Sequence, residues 1–285
     1  MASQRGRVVS GDTRPSGLYT LLHRLLLVLF CIFCVIYPFA VIGVAFDVQP
    51  PFSLHWAGSV LLFLEGTLLI LSAVLIYGLL SALIASSLVF VLSYLVEAIG
   101  VNTGVPFGMY HYTDILFLHL PGGVPLAVMF AWILIVFGSY AWVRSARRRP
   151  SIGAALLGAL LATLLDMAIE PVAAYIVHYW EWLSPGPVSY YGVPFANFVA
   201  WFLVTCGLLL LADLLLHNVS SIKTKVWGGA PFVAFIARFL FITSLFMFGL
   251  VDLTHGYYIA TLLALLAGCL LVLLKLLASR YRIGI

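Results

Sequence analysis

The chain has 285 residues, of which 64% are hydrophobic and 8% charged, with a formal net charge of +4 and a mean hydropathy of +1.16. A soluble core of this length cannot hide so much apolar surface, which excludes a soluble enzyme or binding domain. The positive charge gives no case for a nucleic-acid partner, because the Lys and Arg residues form short clusters flanking apolar runs.

In chain order, residues 1–17 are polar, rich in Arg, Ser and Gly, and read as a disordered cytoplasmic segment. Residues 18–285 read as one transmembrane helical domain. A spanning helix needs roughly 20 mainly apolar residues, and windows of that size predict spans near 20–44, 57–77, 79–98, 123–143, 152–178, 193–216, 229–250 and 255–278. The first has Arg-bearing flanks like a signal peptide, but its apolar stretch is too long and no small-residue cleavage site follows, so it reads as retained. The run 57–101 has Glu65 and Glu97 as its only charged residues and no proline. As a single helix at ~1.5 Å per residue it would be about twice the hydrocarbon thickness, so a turn is expected near Tyr77-Gly78. Cys31, Cys34, Cys206 and Cys269 all fall inside predicted spans and read as small apolar residues, the CxxC of Cys31 and Cys34 included.

Two connections are longer than a connector needs to be. The first, 99–122, contains Gly100, Gly104 and Gly108 together with Phe107, Tyr110, His111, Tyr112 and Asp114. The second, 179–192, carries Trp180, Trp182, Tyr190 and Tyr191. Any one of these aromatics could equally be an interfacial anchor. With the N-terminus inside, Arg5, Arg7, Arg14 and Arg24, then Arg144 and Arg147 to Arg149, then Lys223 and Lys225, and finally Lys275, Arg280 and Arg282 all face the cytoplasm, and Arg238 alone lies within a span. The expected fold is therefore an all-α polytopic bundle of about eight transmembrane helices in the cell membrane, with both termini cytoplasmic. No clear internal repeat is legible.

Four acidic residues, Glu65, Glu97, Asp166 and Glu170, fall inside spans, where an ionised carboxylate costs about 3 kcal/mol. All four favour the outer half. Asp166 and Glu170 are four apart and share one helix face, about 6 Å apart, immediately before Pro171. Asn197 and Trp201 repeat that spacing on the outer half of the next span, so an outward-opening, polar-lined chamber is expected. A single buried acid would instead fit a helix-to-helix hydrogen bond or a pair with Arg238. Asp213 sits toward the cytoplasmic end and is left out of the site.

Glu97-Ala-Ile-Gly100, Thr103-Gly104-Val105-Pro106-Phe107-Gly108 with Tyr110 and Tyr112, Gly123 with Pro125, Trp132, Asp166 with Glu170-Pro171, Trp180-Glu181-Trp182, and Tyr191-Gly192-Val193-Pro194 with Asn197-Phe198 and Trp201 form an ordered set. That set, over roughly residues 90–205, resembles the carotenoid biosynthesis membrane proteins of the CruF type, carotenoid 1,2-hydratases that include the bisanhydrobacterioruberin hydratases. The resemblance implies cofactor-independent addition of water across the terminal double bond of an acyclic carotenoid, giving a tertiary alcohol, with no metal. Protonation of the alkene gives a tertiary cation that water captures, which calls for a protonated carboxylic acid, a placed water and a surface tolerant of positive charge. On this reading Asp166 or Glu170 donates the proton and Glu97 orients or deprotonates water with help from Asn197. Phe107, Tyr110, Tyr112, Trp180, Trp182, Tyr191 and Trp201 bind the substrate, and of these Trp180, Trp182, Tyr191 and Trp201 shelter the cation. Expected partners are the acyclic carotenoid and membrane lipid.

The seven histidines, His23, His55, His111, His119, His178, His217 and His255, form no HxxxH or HxxHH box, which argues against a di-iron hydroxylase. A transporter, or a non-catalytic carotenoid-binding subunit, is the alternative the buried acids leave open.

Overall fold

The computed structural model describes residues 17–48, 51, 54–144, 151–223 and 230–280. The expectation of disorder before Gly17, and the positions of Arg147 to Arg149, Lys225 and Arg282, lie outside these residues.

Among the described residues, eight helices are long and apolar enough to cross a membrane. They are α1 (Gly17–Ala45), α2 (His55–Tyr77), α3 (Leu79–Thr103), α4 (Leu126–Val143), α5 (Ile152–Pro171), α6 (Phe195–Lys223), α7 (Ala230–Thr254) and α8 (Tyr258–Arg280). The expected turn between the second and third spans is a single residue, Gly78, at φ 90° and ψ 156°. Only glycine adopts that conformation without strain, which is what lets two spanning helices meet with no loop. Pro171 cannot donate a backbone hydrogen bond, and beyond it α5 widens into a π-helical turn, Val172–Ile176. α4 is the central helix, with 72% of its spanning window buried, whereas α1 buries 17% and turns most of its apolar surface outward.

The two long connections, expected to be loops, contain short strands at one end of the bundle. β1 (Tyr110–Tyr112) pairs antiparallel with β4 (Trp180–Trp182), β2 (His119–Leu120) with β3 (Val124–Pro125), and β5 (Ser189–Tyr190) with β6 (Val193–Pro194).

These strands reveal a duplication that the linear reading does not find. α3–β1–β2–β3–α4 and α5–β4–β5–β6–α6 follow the same order. Gly123-Val124-Pro125-Leu126-Ala127-Val128-Met129-Phe130-Ala131-Trp132 aligns without a gap on Gly192-Val193-Pro194-Phe195-Ala196-Asn197-Phe198-Val199-Ala200-Trp201. Gly123 and Gly192 share one left-handed conformation, φ 82° and 79°. Leu126 N donates to Leu118 O at 2.8 Å, as Phe195 N does to Val188 O at 2.9 Å. β1 pairs with β4 in the register Tyr110 to Trp182, His111 to Glu181 and Tyr112 to Trp180, so exchanging the strands maps the pairing onto itself. α3 and α5 each contact both α4 and α6, as a two-fold relation requires. The repeat escapes the linear reading because its ungapped match covers only these ten residues, six of them identical. From glutamate to the first strand aromatic the units differ in length, thirteen residues from Glu97 to Tyr110 against ten from Glu170 to Trp180.

Candidate active site

Alternation along β1 and β4 sends Tyr110, Tyr112, Trp180 and Trp182 to one face. That face points into the bundle, while His111 and Glu181 point outward and meet at 3.4 Å. Each inward ring carries one O–H or N–H donor to the level of the acids on α3 and α5.

Glu97 accepts three hydrogen bonds. Its Oε2 takes Tyr110 Oη at 2.5 Å and Tyr112 Oη at 2.8 Å, and its Oε1 takes Trp132 Nε1 at 2.9 Å. Glu170, its counterpart in the second unit, also accepts three. Its Oε2 takes Trp180 Nε1 at 3.0 Å and Trp182 Nε1 at 2.9 Å, and its Oε1 takes Asn197 Nδ2 at 3.0 Å. Asn197 Nδ2 also donates to Asp166 Oδ2 at 3.1 Å, the single hydrogen bond made by that carboxyl among the described residues. The amide that sequence reasoning pairs with Glu97 thus serves Asp166 and Glu170. Glu97, Asp166, Glu170 and Asn197 are each at most 3% exposed.

The units differ where it matters chemically. Ser93 occupies in α3 the place of Asp166 in α5, and Val128 in α4 the place of Asn197 in α6. A symmetric pair of triply bonded glutamates therefore carries one additional acid and one amide, both on the second unit. Burial and the nearby Glu97 carboxylate both push the Tyr110 and Tyr112 phenols above their ordinary range, so these hydroxyls keep their protons and donate to Glu97.

The acids face a cavity of about 1180 Å³, its open mouth included. Glu97, Asp166, Glu170 and Asn197 line it with Phe107, Tyr110, Tyr112, Trp180, Trp182 and Trp201, and aliphatic side chains from α2, α4, α5 and α7 complete the wall. Trp132 and Trp201, equivalent in the two units, stack with centroids 3.9 Å apart and planes 6° apart. Tyr191 is the exception among the expected binding residues. It occupies the β5–β6 turn, accepts a hydrogen bond from Ile259 N at 3.2 Å and packs on Tyr190 and Tyr257, away from the cavity.

Among the lining residues absent from the sequence-derived site, Trp132 and Glu65 bear on the acids. Trp132 is a donor to Glu97, and aligning the two Gly-Val-Pro segments would have matched it to Trp201. Glu65 enters from α2, is 5% exposed and receives no hydrogen bond from any described residue. Burial, and then Glu65, push the nearby Tyr179 phenol up to about 12. Asp252, which the linear reading leaves in a short outer connection, is a fully buried residue of α7 with neither oxygen paired among the described residues. Asp213 is apart from the site as expected, accepting from Tyr140 Oη at 2.9 Å and Ser151 N at 3.0 Å.

Residues 57–271 match the family described as carotenoid biosynthesis protein. A bisanhydrobacterioruberin hydratase from Haloarcula japonica is 32% identical over 124 residues, covering 42% of this chain and 41% of that protein. The match thus spans about two fifths of the relative's length. No solved structure matches.

Proposed function

The chain belongs to the carotenoid biosynthesis protein family, and from that premise we propose that it is a hydratase adding water to the terminal double bond of an acyclic carotenoid end group. The observation that carries this reading is the convergence of Glu97, Asp166 and Glu170 on one aromatic-walled cavity inside the spanning helices. The similarity to a hydratase supports the same reading.

Donor counting separates the roles. A carboxylate removed from water needs hydrogen-bond donors to hold its charge. Glu97 and Glu170 receive three each, which suits the ionised form. Asp166 receives one, shares it with Glu170, and so is the member that retains a proton. Asp166 gives that proton to the less substituted alkene carbon, and the π electrons form the new C–H bond. The positive charge then rests on the tertiary carbon, facing the rings of Trp180, Trp182 and Trp201 and the two glutamates. Water adds to that carbon and passes its extra proton to Glu97. One proton has left Asp166 and one has reached Glu97, so the cavity's charge is unchanged, and proton return from Glu97 to Asp166 resets the site. Neither an oxidant nor a reductant is consumed, which is why the reading needs no cofactor. The protein would act in the cell membrane with its strand-bearing end outward.

The test is expression in a lycopene-accumulating host followed by mass analysis of the pigments. A gain of one water per modified end supports the hydratase. Unmodified pigment, with the protein correctly inserted, would sink it in favour of a transporter or a non-catalytic carotenoid-binding subunit.

A further inference from the structure

At the end of the bundle opposite the strands lies a second cavity, of about 800 Å³ with its open mouth included, walled by α2, α4, α6 and α7. Two guanidinium groups share this wall, Arg144 at the end of α4 and Arg238 on α7, together with Tyr77, Tyr140 and Ser72. Arg144 stacks on the Tyr77 ring, its Cζ 4.8 Å from the centroid. Arg238 sits eight residues into α7, which begins at Ala230, or ~12 Å along the helix at ~1.5 Å per residue.

Arg238 is the anomaly. A guanidinium at that depth in a spanning helix is costly unless it is paired. Its Nε is buried without a hydrogen-bond partner among the described residues, and so is the Ser72 hydroxyl on the same wall. Trp142 Nε1 reaches only the Arg238 carbonyl, at 3.2 Å. Asp213, the acid on neighbouring α6, is not on the wall and accepts from Tyr140 and Ser151. Two like charges, two unmet hydrogen-bonding groups and an open volume describe a site for an anion.

We propose that this cavity binds a phosphate group, with Arg238 and Arg144 holding its oxygens and Ser72 donating a further hydrogen bond. The planar fork of a guanidinium presents paired N–H donors to phosphate oxygens, and Arg144, stacked on Tyr77, lines the same cavity as Arg238. The phosphate could come from a phospholipid headgroup or from solution. This site is independent of the carboxyl cavity and does not rest on the hydratase reading.

Thermal stability of the purified full chain should be compared in a maltoside detergent, which carries no phosphate, with and without added phosphatidylglycerol, and in the same detergent with inorganic phosphate against chloride at equal ionic strength. A rise in Tm of several degrees with phosphatidylglycerol only identifies a headgroup, and a rise with both identifies phosphate from either source. Arg238→Gln should abolish the rise. It should also leave the ligand-free Tm equal to or above wild type, because it removes an uncompensated charge. If that variant is not recovered, Ser72→Leu fills the cavity with both arginines intact and should abolish the rise in the same way. No rise in the wild type, or an equal rise in the recovered variant, overturns the proposal.

Discussion

At the scale of single residues, the unequal sharing of donors among three carboxyls yields the sharpest expectations. Asp166→Asn keeps the shape and the contact with Asn197 but removes the transferable proton, so hydration of lycopene by the inserted protein should fall at least about a hundredfold. Glu65→Gln is the control for that assignment. Glu65 faces the same cavity with no donor on it, so it too would sit as a neutral acid; if it were the proton source, Glu65→Gln would abolish turnover and Asp166→Asn would spare it. The expected result is the reverse, with Glu65→Gln within several-fold of wild type. Tyr112→Phe tests the other role by removing one of three donors to Glu97 while the ring remains, and turnover should fall about tenfold, the worth of one hydrogen bond to a charged group. The expensive acids were legible in the sequence because an apolar chain makes each carboxylate conspicuous. Their hydrogen bonding was not, since four of the six donors lie on strands whose pairing joins two connections about seventy residues apart, Tyr110 with Trp182 and Tyr112 with Trp180.

At the scale of elements, the duplicated hairpin units position these side chains, and their glycines show how tightly. A Cβ on Gly100 would meet Phe107 Cδ2 at 2.7 Å and Tyr110 Oη at 3.0 Å. Gly100→Ala should therefore push Tyr110 from Glu97 and lower turnover more than it lowers Tm. Gly123 and Gly192 share a left-handed backbone that costs an alanine about 1–2 kcal/mol, yet their surroundings differ. The added Cβ at Gly123 would meet only Val101 Cγ1 at 3.9 Å, while at Gly192 it would meet Tyr175 Oη at 2.7 Å. That hydroxyl donates to Tyr191 O at 2.7 Å, so Gly192→Ala breaks a contact as well as straining the turn. Thermal unfolding should rank Gly192→Ala below Gly123→Ala, both below wild type. Helix number and approximate ends were legible because length and hydropathy govern spanning segments. The strands were not, because two- and three-residue ladders are set by which backbone faces which across the bundle.

At the scale of the whole molecule, the strand-bearing end and the opposite end differ in charge. His111, Glu181, Asp47 and Asp114 belong to the strand-bearing end, and no described Lys or Arg does. The described basic residues other than Arg238, namely Arg24, Arg144, Lys223, Lys275 and Arg280, lie toward the opposite ends of their helices or just past them. Because cytoplasmic flanks of membrane proteins hold the Lys and Arg excess, we propose from this asymmetry that the carboxyl cavity lies in the outer half of the bilayer and the Arg144 and Arg238 cavity toward the cytoplasm. Cysteine accessibility tests the orientation. With Cys31, Cys34, Cys206 and Cys269 replaced by alanine, Glu181→Cys lies on the outward-pointing face of β4, where the native side chain is 58% exposed. It should react with a membrane-impermeant maleimide in intact cells, whereas Ser151→Cys at the start of α5 should react only after permeabilisation. The opposite pattern would turn the bundle over while leaving the geometry of both cavities intact. The carotenoid end group would then have to enter from the cytoplasmic leaflet, and a phospholipid headgroup in the arginine cavity would come from the outer one.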